Sequence, residues 1–529
     1  MTKTLKPLFA ILLSLSLLLA LASCAAAPME PGDGFYDGPM NNLSGTVNGN
    51  PSPEKGEDQG DAANPSEPDL DGTRPNVQEN PFIATNEQSV STLSADVDTA
   101  SYAYFRKLIS QSGLSFSRLQ SYGASFRTEE FINYFRYGVT SPAENELFGV
   151  NASIVPCPWN ASTVLMRMTL KANDATAPVG NNLVFLIDVS GSMNSSDKLP
   201  LLKQSFSYLT SQLTAEDRIS IVTYSGSERV VLEGCPGNDT QTILNALNSL
   251  SAYGSTNGEA GLTRAYEIAQ ANFIEGGNNR IIMASDGDLN VGISSADQLK
   301  SYVAEKRDAG IYLSVLGFGT SNYRDTNMEA LADNGNGVYY YIDGMSEAEK
   351  VFGSDLLSTL YTVAEDVKLQ IHFDPQYVSS FRLIGYENRI LNEEDFEDDT
   401  KDAGEVGAGH CVTVCYELTV SPSAMSTESA WMTLDVRYKE PGTEMSMPTE
   451  TFPIGKAHYT ETPDEDMLFV CSVIQTVMLL HNSTYAPDGL SIAGILETLN
   501  ALDLSSHPDR AEFRGRRVLL FSSEKTWHL

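Results

Sequence analysis

The chain has 529 residues, enough for two or three folded domains that each bury a core. Its 34 Lys and Arg against 69 Asp and Glu leave a net charge of −35. So acidic a surface repels phosphate backbones, which argues against nucleic acid as a partner; it favours metal cations without specifying one.

The N-terminus carries an address. MTKTLKPLFAILLSLSLLLALASC places Lys3 and Lys6 before an apolar run from Leu8 to Leu21 and small residues after it, the order of a secretory signal peptide. Its end, Leu21-Ala22-Ser23-Cys24, resembles the bacterial lipobox, in which cleavage before the cysteine leaves that thiol to carry lipid. The resemblance implies loss of residues 1–23 and an extracytoplasmic chain held to a bacterial membrane by lipid on Cys24. An ordinary signal peptide with a chance cysteine is the alternative. A retained anchor is disfavoured, because a spanning helix needs about 20 apolar residues. Residues 24–79 are Pro, Gly, Asn, Asp and Glu with hardly any aliphatic side chain, and read as a disordered stalk with a span of roughly 40 Å.

Residues 80–177 read as a small α+β domain. SADVDTASYAYFRKLI leads from a strand or turn into a helix, with Thr99 or Ser101 as caps and Tyr104, Leu108 and Ile109 on one face. RTEEFINYFRYG is a second helix, striped by Phe131, Tyr134 and Phe135, and NELFGVNASIVPCPWN and STVLMRMTLKAN are strands. Asp96 and Asp98 invite a metal reading but lack further ligands, so turn or capping roles are expected.

Residues 178–361 change pattern. LVFLIDVS, RISIVTYSG, RIIMASDG, IYLSVLGFG and VYYYIDG are nearly continuous apolar strands, separated by helices such as KLPLLKQSFSYLTSQL and GEAGLTRAYEIAQANFI. This alternation predicts an α/β fold with a doubly wound, mostly parallel sheet, and ERVVLEG as an antiparallel edge strand. Residues 362–462 return to alternation in VKLQIHFD, FRLIGYENRIL, HCVTVCYELTV and AWMTLDVRYKE, the mark of an antiparallel β-rich domain. Residues 463–529 form a helical segment and tail, in which MLFVCSVIQTVMLL is a buried helix rather than a membrane span. Beyond Cys24, Cys157, Cys235, Cys411, Cys415 and Cys471 show no metal or redox spacing; Cys411 and Cys415 on one strand stand roughly 13 Å apart, too far to pair.

The chemistry concentrates in FLIDVSGSM. Ligands of doubly wound sheets bind beyond the carboxyl ends of the strands, and Asp188, Ser190 and Ser192 sit on such a strand-to-helix loop. Their hard oxygens suit Mg²⁺, Mn²⁺ or Ca²⁺ rather than zinc or copper, but an octahedral site needs more ligands. Thr256, in the loop AYGSTNGEAGL, and Asp286, at the end of RIIMASDGD, stand at the expected places. Together these residues resemble the von Willebrand factor A domain, whose metal-ion-dependent adhesion site combines D-x-S-x-S, a Thr loop and an Asp loop. The resemblance implies that Ser190, Ser192 and Thr256 bind the cation directly, and that Asp188 and Asp286 act directly or through water. It also implies a partner, a protein or matrix ligand, that supplies a carboxylate. Asp288 is expected to face solvent. ENPF, SADVDTASY, EEFINYF and RLIGYENRILNEEDFEDDTKDAGEVGAGH resemble the flanks of a group of bacterial von Willebrand factor A lipoproteins.

The expected function is therefore cation-dependent binding at the cell envelope. A non-adhesive scaffold is the alternative and a metal-dependent hydrolase a distant third: all six His lie beyond residue 361, G-x-S-x-G is missing, and no nucleophile with an adjacent base is visible. In NEEDFEDDTKDAGE the EF-hand spacing is absent, so a solvated loop is expected. Gly515 is unfavourable for a helix and places the end of the chain in question.

Overall fold

The computed structural model describes residues 78–525 apart from 111–113, 144–145, 175–179, 257, 288–295 and 320–324. The signal sequence, Cys24, the stalk up to residue 77, and Asp288 lie outside the described residues. Ahead of the apolar runs come β1 (Ile83–Ala84), β2 (Val90–Ser94), β3 (Phe148–Pro156) and β4 (Val164–Ala172). The runs themselves form β5 (Asn181–Asp188), β6 (Arg218–Tyr224), β7 (Glu228–Pro236), β8 (Asn278–Ser285), β9 (Tyr312–Gly317) and β10 (Tyr339–Tyr341). After them follow β11 (Thr362–Phe373), β12 (Val378–Ile384), β13 (Ile390–Leu391), β14 (Gly404–Gly407), β15 (Cys411–Val420), β16 (Ala430–Lys439) and β17 (Glu450–Gly455).

The middle sheet has the order β10-β9-β8-β5-β6-β7, parallel except for β7, which pairs antiparallel with β6 at the edge. Every residue of β5 is buried, because helices cover both faces. Phe185 and Ile187 enter one core, where Phe185 stacks on Phe206 of the helix Leu199–Thr210 at 4.2 Å. Val184 and Leu186 enter the other. There the helix Gly258–Ala271 comes so close that a Cβ on Gly261 would lie 2.7 Å from Cβ of Tyr224. The chain leaves β5 for β6 on one side and reaches β8 on the other, so the carboxyl end of β5 is the topological switch point.

The flanking strands are not segregated as their sequence order suggests. One sheet runs β1-β12-β15-β4-β3 and another β13-β2-β11-β16-β17 with β14 on β11, so each mixes strands from both flanks. Phe373 of β11 stacks on Phe381 of β12 at 4.3 Å, and Tyr416 bonds Ser91 at 2.9 Å between the sheets. The boundaries 80–177 and 362–462 thus divide the sequence but not the structure: the two stretches close one β-sandwich, and 178–361 is inserted between them. All five described cysteines are free.

Helices cover the outer face of the first sheet. The helix Glu465–His481 starts where the Asp464 carboxylate accepts the Met467 amide at 2.7 Å, and stops at Asn482, which adopts the left-handed conformation. It is apolar nearly all round, as a buried helix must be. Ser472 and Thr476 fit there because their hydroxyls donate to the carbonyls of Leu468 and Ser472. The last helix runs Pro508–Lys525, straight through Gly515. The glycine costs about 1 kcal/mol. Phe513, fully buried against Tyr102, Phe135 and Phe469, contributes roughly 2–3 kcal/mol. Arg510 adds an ion pair to Asp466 at 2.7 Å, so the helix continues.

A buried ionic cluster joins the sandwich to the inserted domain. Arg389, just before β13, reaches Asp333 at 3.0 Å and Glu329 at 3.2 Å on the helix Asp325–Asn334. Arg127 binds Glu329 at 2.5 Å and Glu130 at 2.8 Å. Asp96 accepts the Asp98 amide at 3.0 Å, the expected turn, but both carboxylates also stand 3.6 Å from Arg389. Asp98 further accepts the amide of Tyr339 at 2.9 Å, tying β10 to the N-terminal flank. Burial, reinforced by Asp96 and Asp333, pushes the Asp98 carboxyl well up. Burial and the neighbouring Glu387 push Glu129 to about 8.

Two outcomes follow from this packing. Phe513→Ala should lower stability by about 3–5 kcal/mol, read as an earlier midpoint in denaturant. Glu129 binds its proton more tightly folded than unfolded, so its contribution is present at low pH and is lost as pH rises from about 4.5 to 8. Across that window the melting temperature of Glu129→Gln should fall less steeply than that of the wild type.

Candidate functional site

The site is built at the carboxyl ends of β5 and β8. These strands pair in parallel with Ile187 opposite Ala284, so Asp188 is level with Ser285 and Asp286 projects from the next residue. Asp188 and Asp286 are both fully buried. Beyond Asp188 the chain turns sharply, and the Ser190 amide donates to its carboxylate at 2.7 Å. That turn brings the hydroxyls of Ser190 and Ser192 within 3.0 Å of each other.

The Thr loop is laced to this turn by backbone bonds. The Tyr253 amide donates to the carbonyl of Val189 at 2.7 Å, and the Gly191 amide to the carbonyl of Gly254 at 3.0 Å. Thr256 follows two residues later, partly exposed, just ahead of the helix Gly258–Ala271. Tyr253, 60% exposed, stands on the same loop. Three separated loops therefore meet at the switch point, and all five residues expected from the sequence lie on them. The donor set of two carboxylates and three hydroxyls is hard, and it fits Mg²⁺, Mn²⁺ or Ca²⁺. Among the described residues, no group of three or more His, Cys, Asp and Glu is arranged for a metal, which leaves the acidic loop 392–405 without such a site. Its acids are used instead in a cap on Asn392 and in ion pairs with Arg437 and Arg307.

One functional group escaped the sequence reading. Lys198 donates to Asp286 Oδ2 at 2.7 Å and to the Ser192 carbonyl at 3.0 Å. In sequence it opens an amphipathic helix. Its signal is its position: Lys is a poor N-cap and its charge opposes the helix dipole there, so another interaction must hold it.

Sequence models of protein families match three stretches: "von Willebrand factor" over residues 73–167, "von Willebrand factor type A domain" over 182–354, and "Uncharacterized protein YfbK, C-terminal" over 358–521. Against "Uncharacterized protein YfbK" of Escherichia coli (strain K12) the chain is 39% identical over 434 residues, covering 77% of this chain and 74% of that protein. The chain belongs to the YfbK family of von Willebrand factor type A domain proteins. It is also 27% identical over 198 residues to the human inter-alpha-trypsin inhibitor heavy chain H3, covering 35% of this chain and 22% of that protein. Among solved structures, a von Willebrand factor type A protein from Catenulispora acidiphila aligns with a TM-score of 0.40 at 16% identity, covering 74% of this chain and 89% of that one. In this YfbK-family chain the type A match spans β5 to β10, and the C-terminal match spans β11 to the last helix.

Proposed function

We propose that this YfbK-family chain binds a protein or matrix ligand through a divalent cation held by Asp188, Ser190, Ser192, Thr256 and Asp286, at the outer side of a bacterial membrane. The observation that carries the reading is the convergence of three loops of hard oxygen donors at the switch point of the doubly wound sheet. When bound, the cation supplies a Lewis-acidic position for a ligand carboxylate. The chain's own residues orient that position: the Ser190 amide fixes the Asp188 carboxylate, and the Gly191 and Tyr253 amides fix the Thr loop.

A binding role suits the rest of the chemistry better than hydrolysis. Burial pushes His410 down to about 3, and pushes Cys157 and Cys415 up to about 12, so these groups are poorly matched to base or nucleophile work near neutral pH. The ion pair between Lys198 and Asp286 favours a second reading, a scaffold whose contacts do not need the metal.

Calorimetry with Mg²⁺ and pull-down from envelope extract separate the two. The wild type should bind one ion, and Ser190→Ala and Thr256→Ala should each weaken it by about 10- to 100-fold. Chelator should abolish ligand recovery. Recovery that is equal with chelator and in both variants would reject cation-dependent binding and leave the scaffold. For the anchor, the wild type grown with labelled palmitate should carry the label and Cys24→Ser should not.

A further inference from the structure

The environment of Lys198 is built for an ammonium group at the cluster. The residue is 3% exposed, although it begins a helix whose positive end disfavours it. Its stem lies against the loop after β9. There Gly319 takes a φ of +73°, and a Cβ on it would fall 2.3 Å from Cε and 2.8 Å from Cγ of Lys198. A side chain at position 319 would have to displace the lysine stem. At the far end of the stem the Asp286 carboxylate and the Ser192 carbonyl receive the ammonium at 2.7 and 3.0 Å. Its neighbour Asp197 is braced by Lys107 of the helix Ala100–Ser110 at 3.0 Å.

Among the described residues at the cluster, the carboxylates of Asp188 and Asp286 and the ammonium of Lys198 sum to one net negative charge. A divalent ion turns that into one net positive charge, and a single ligand carboxylate brings it to neutrality. Without the lysine, the ion alone would neutralise the site, and a ligand carboxylate would make it negative again. In a buried setting, where charges are poorly screened, the neutral assembly is favoured.

We propose that Lys198 is a resident counter-cation that weakens the site's hold on a divalent ion and strengthens the loaded site's hold on an anionic ligand, so that ion and ligand bind cooperatively. This rests on the reading of the cluster as a cation site. Because coupling between two ligands is reciprocal, a carboxylate that gains from the loaded ion must tighten that ion in return.

The test is Mn²⁺ binding by the full chain, followed by electron paramagnetic resonance and by the rise in melting temperature, with acetate as the carboxylate probe. Lys198→Met keeps the packed stem, and Lys198→Gln keeps a donor without charge. Both should bind Mn²⁺ at least about tenfold more tightly than the wild type, and acetate should tighten Mn²⁺ in the wild type more than in either variant. Adding Asp286→Asn to Lys198→Met should remove the gain. If Lys198 only holds Asp286 in place, both variants would bind Mn²⁺ equally or more weakly, and the inference would be overturned. Should the variants fold poorly, Mn²⁺ should restore them; failure of both to fold with Mn²⁺ present would show that the ion cannot take over from the ammonium, which also overturns it. If the wild type and both variants bind no Mn²⁺, the cation reading itself falls and takes the inference with it. Binding that is intact but insensitive to Lys198 leaves the cation reading standing and sinks only this one.

Discussion

The pairing of β4 with β15 is the constraint on which the architecture rests. It joins Val164 to Leu418 and Lys171 to Cys411, residues more than two hundred positions apart, and places the whole doubly wound domain between them. Closing so long a loop is costly in entropy before any contact rewards it. What offsets the cost is the sandwich interior, where strands from both flanks bury their apolar faces together. The inserted domain is therefore held at both ends. The chain enters it at the amino end of β5 and leaves it for β11. Thr362 and Glu365 of β11 bond Arg280 and Tyr312, near the amino ends of β8 and β9. Asp188 and Asp286 stand at the opposite ends of the same sheet. The sandwich thus steadies one end of the domain while the candidate site lies at the other.

A second set of contacts reaches the site end. The helix Ala100–Ser110 sends Arg106 to Asp343 and Glu347 at 2.5 and 2.6 Å, and Lys107 to Asp197 at 3.0 Å. Tyr104 of that helix meets Tyr341, whose hydroxyl donates to the Gly319 carbonyl at 2.9 Å. The N-terminal flank therefore touches the loop carrying Asp197 directly and reaches the one carrying Gly319 through Tyr341. Buried ion pairs of this kind contribute little net stability compared with apolar packing, but they penalise misplacement strongly, because removing one partner strands a buried charge. Their value here is in fixing where the loops stand.

The doubly wound sheet was legible because each strand carries its own signature. A run such as LVFLID is apolar at every position only if both faces are covered, and that implies helices on both sides. Of the candidate site residues, Asp188, Ser190 and Ser192 could be proposed from one short, local motif at a strand end, whereas Thr256 and Asp286, on separate loops, entered through the family resemblance. Shared sheets are not local. Nothing in VLMRMTLKA says that its partner is CVTVCYELTV rather than a nearer strand, so the flanks read as separate. Gly515 misled in the opposite way, since a local propensity of about 1 kcal/mol was outweighed by the burial of Phe513, a tertiary effect. Asp96 and Asp98 likewise read as turn residues because Arg389 and Tyr339, which also hold them, are distant in sequence.

The electrostatics of the whole chain bear on the site in the same sense as Lys198. With a net charge of −35 the protein attracts cations and repels acidic surfaces. Salt confines that repulsion to roughly 8 Å at physiological ionic strength, so an acidic ligand meets it only on close approach. A cluster with two carboxylates and a divalent ion would be neutral, and would offer such a ligand no net attraction to set against the surrounding field. The buried ammonium beside Asp286 would give such a loaded cluster a positive sign at that one place. Being held under the loop rather than on the surface, it is screened little by salt and cannot swing away to pair with the many exposed acids. An acidic chain that is to bind a carboxylate needs a positive spot of this kind, and the shape of the loop at Gly319 keeps it in position.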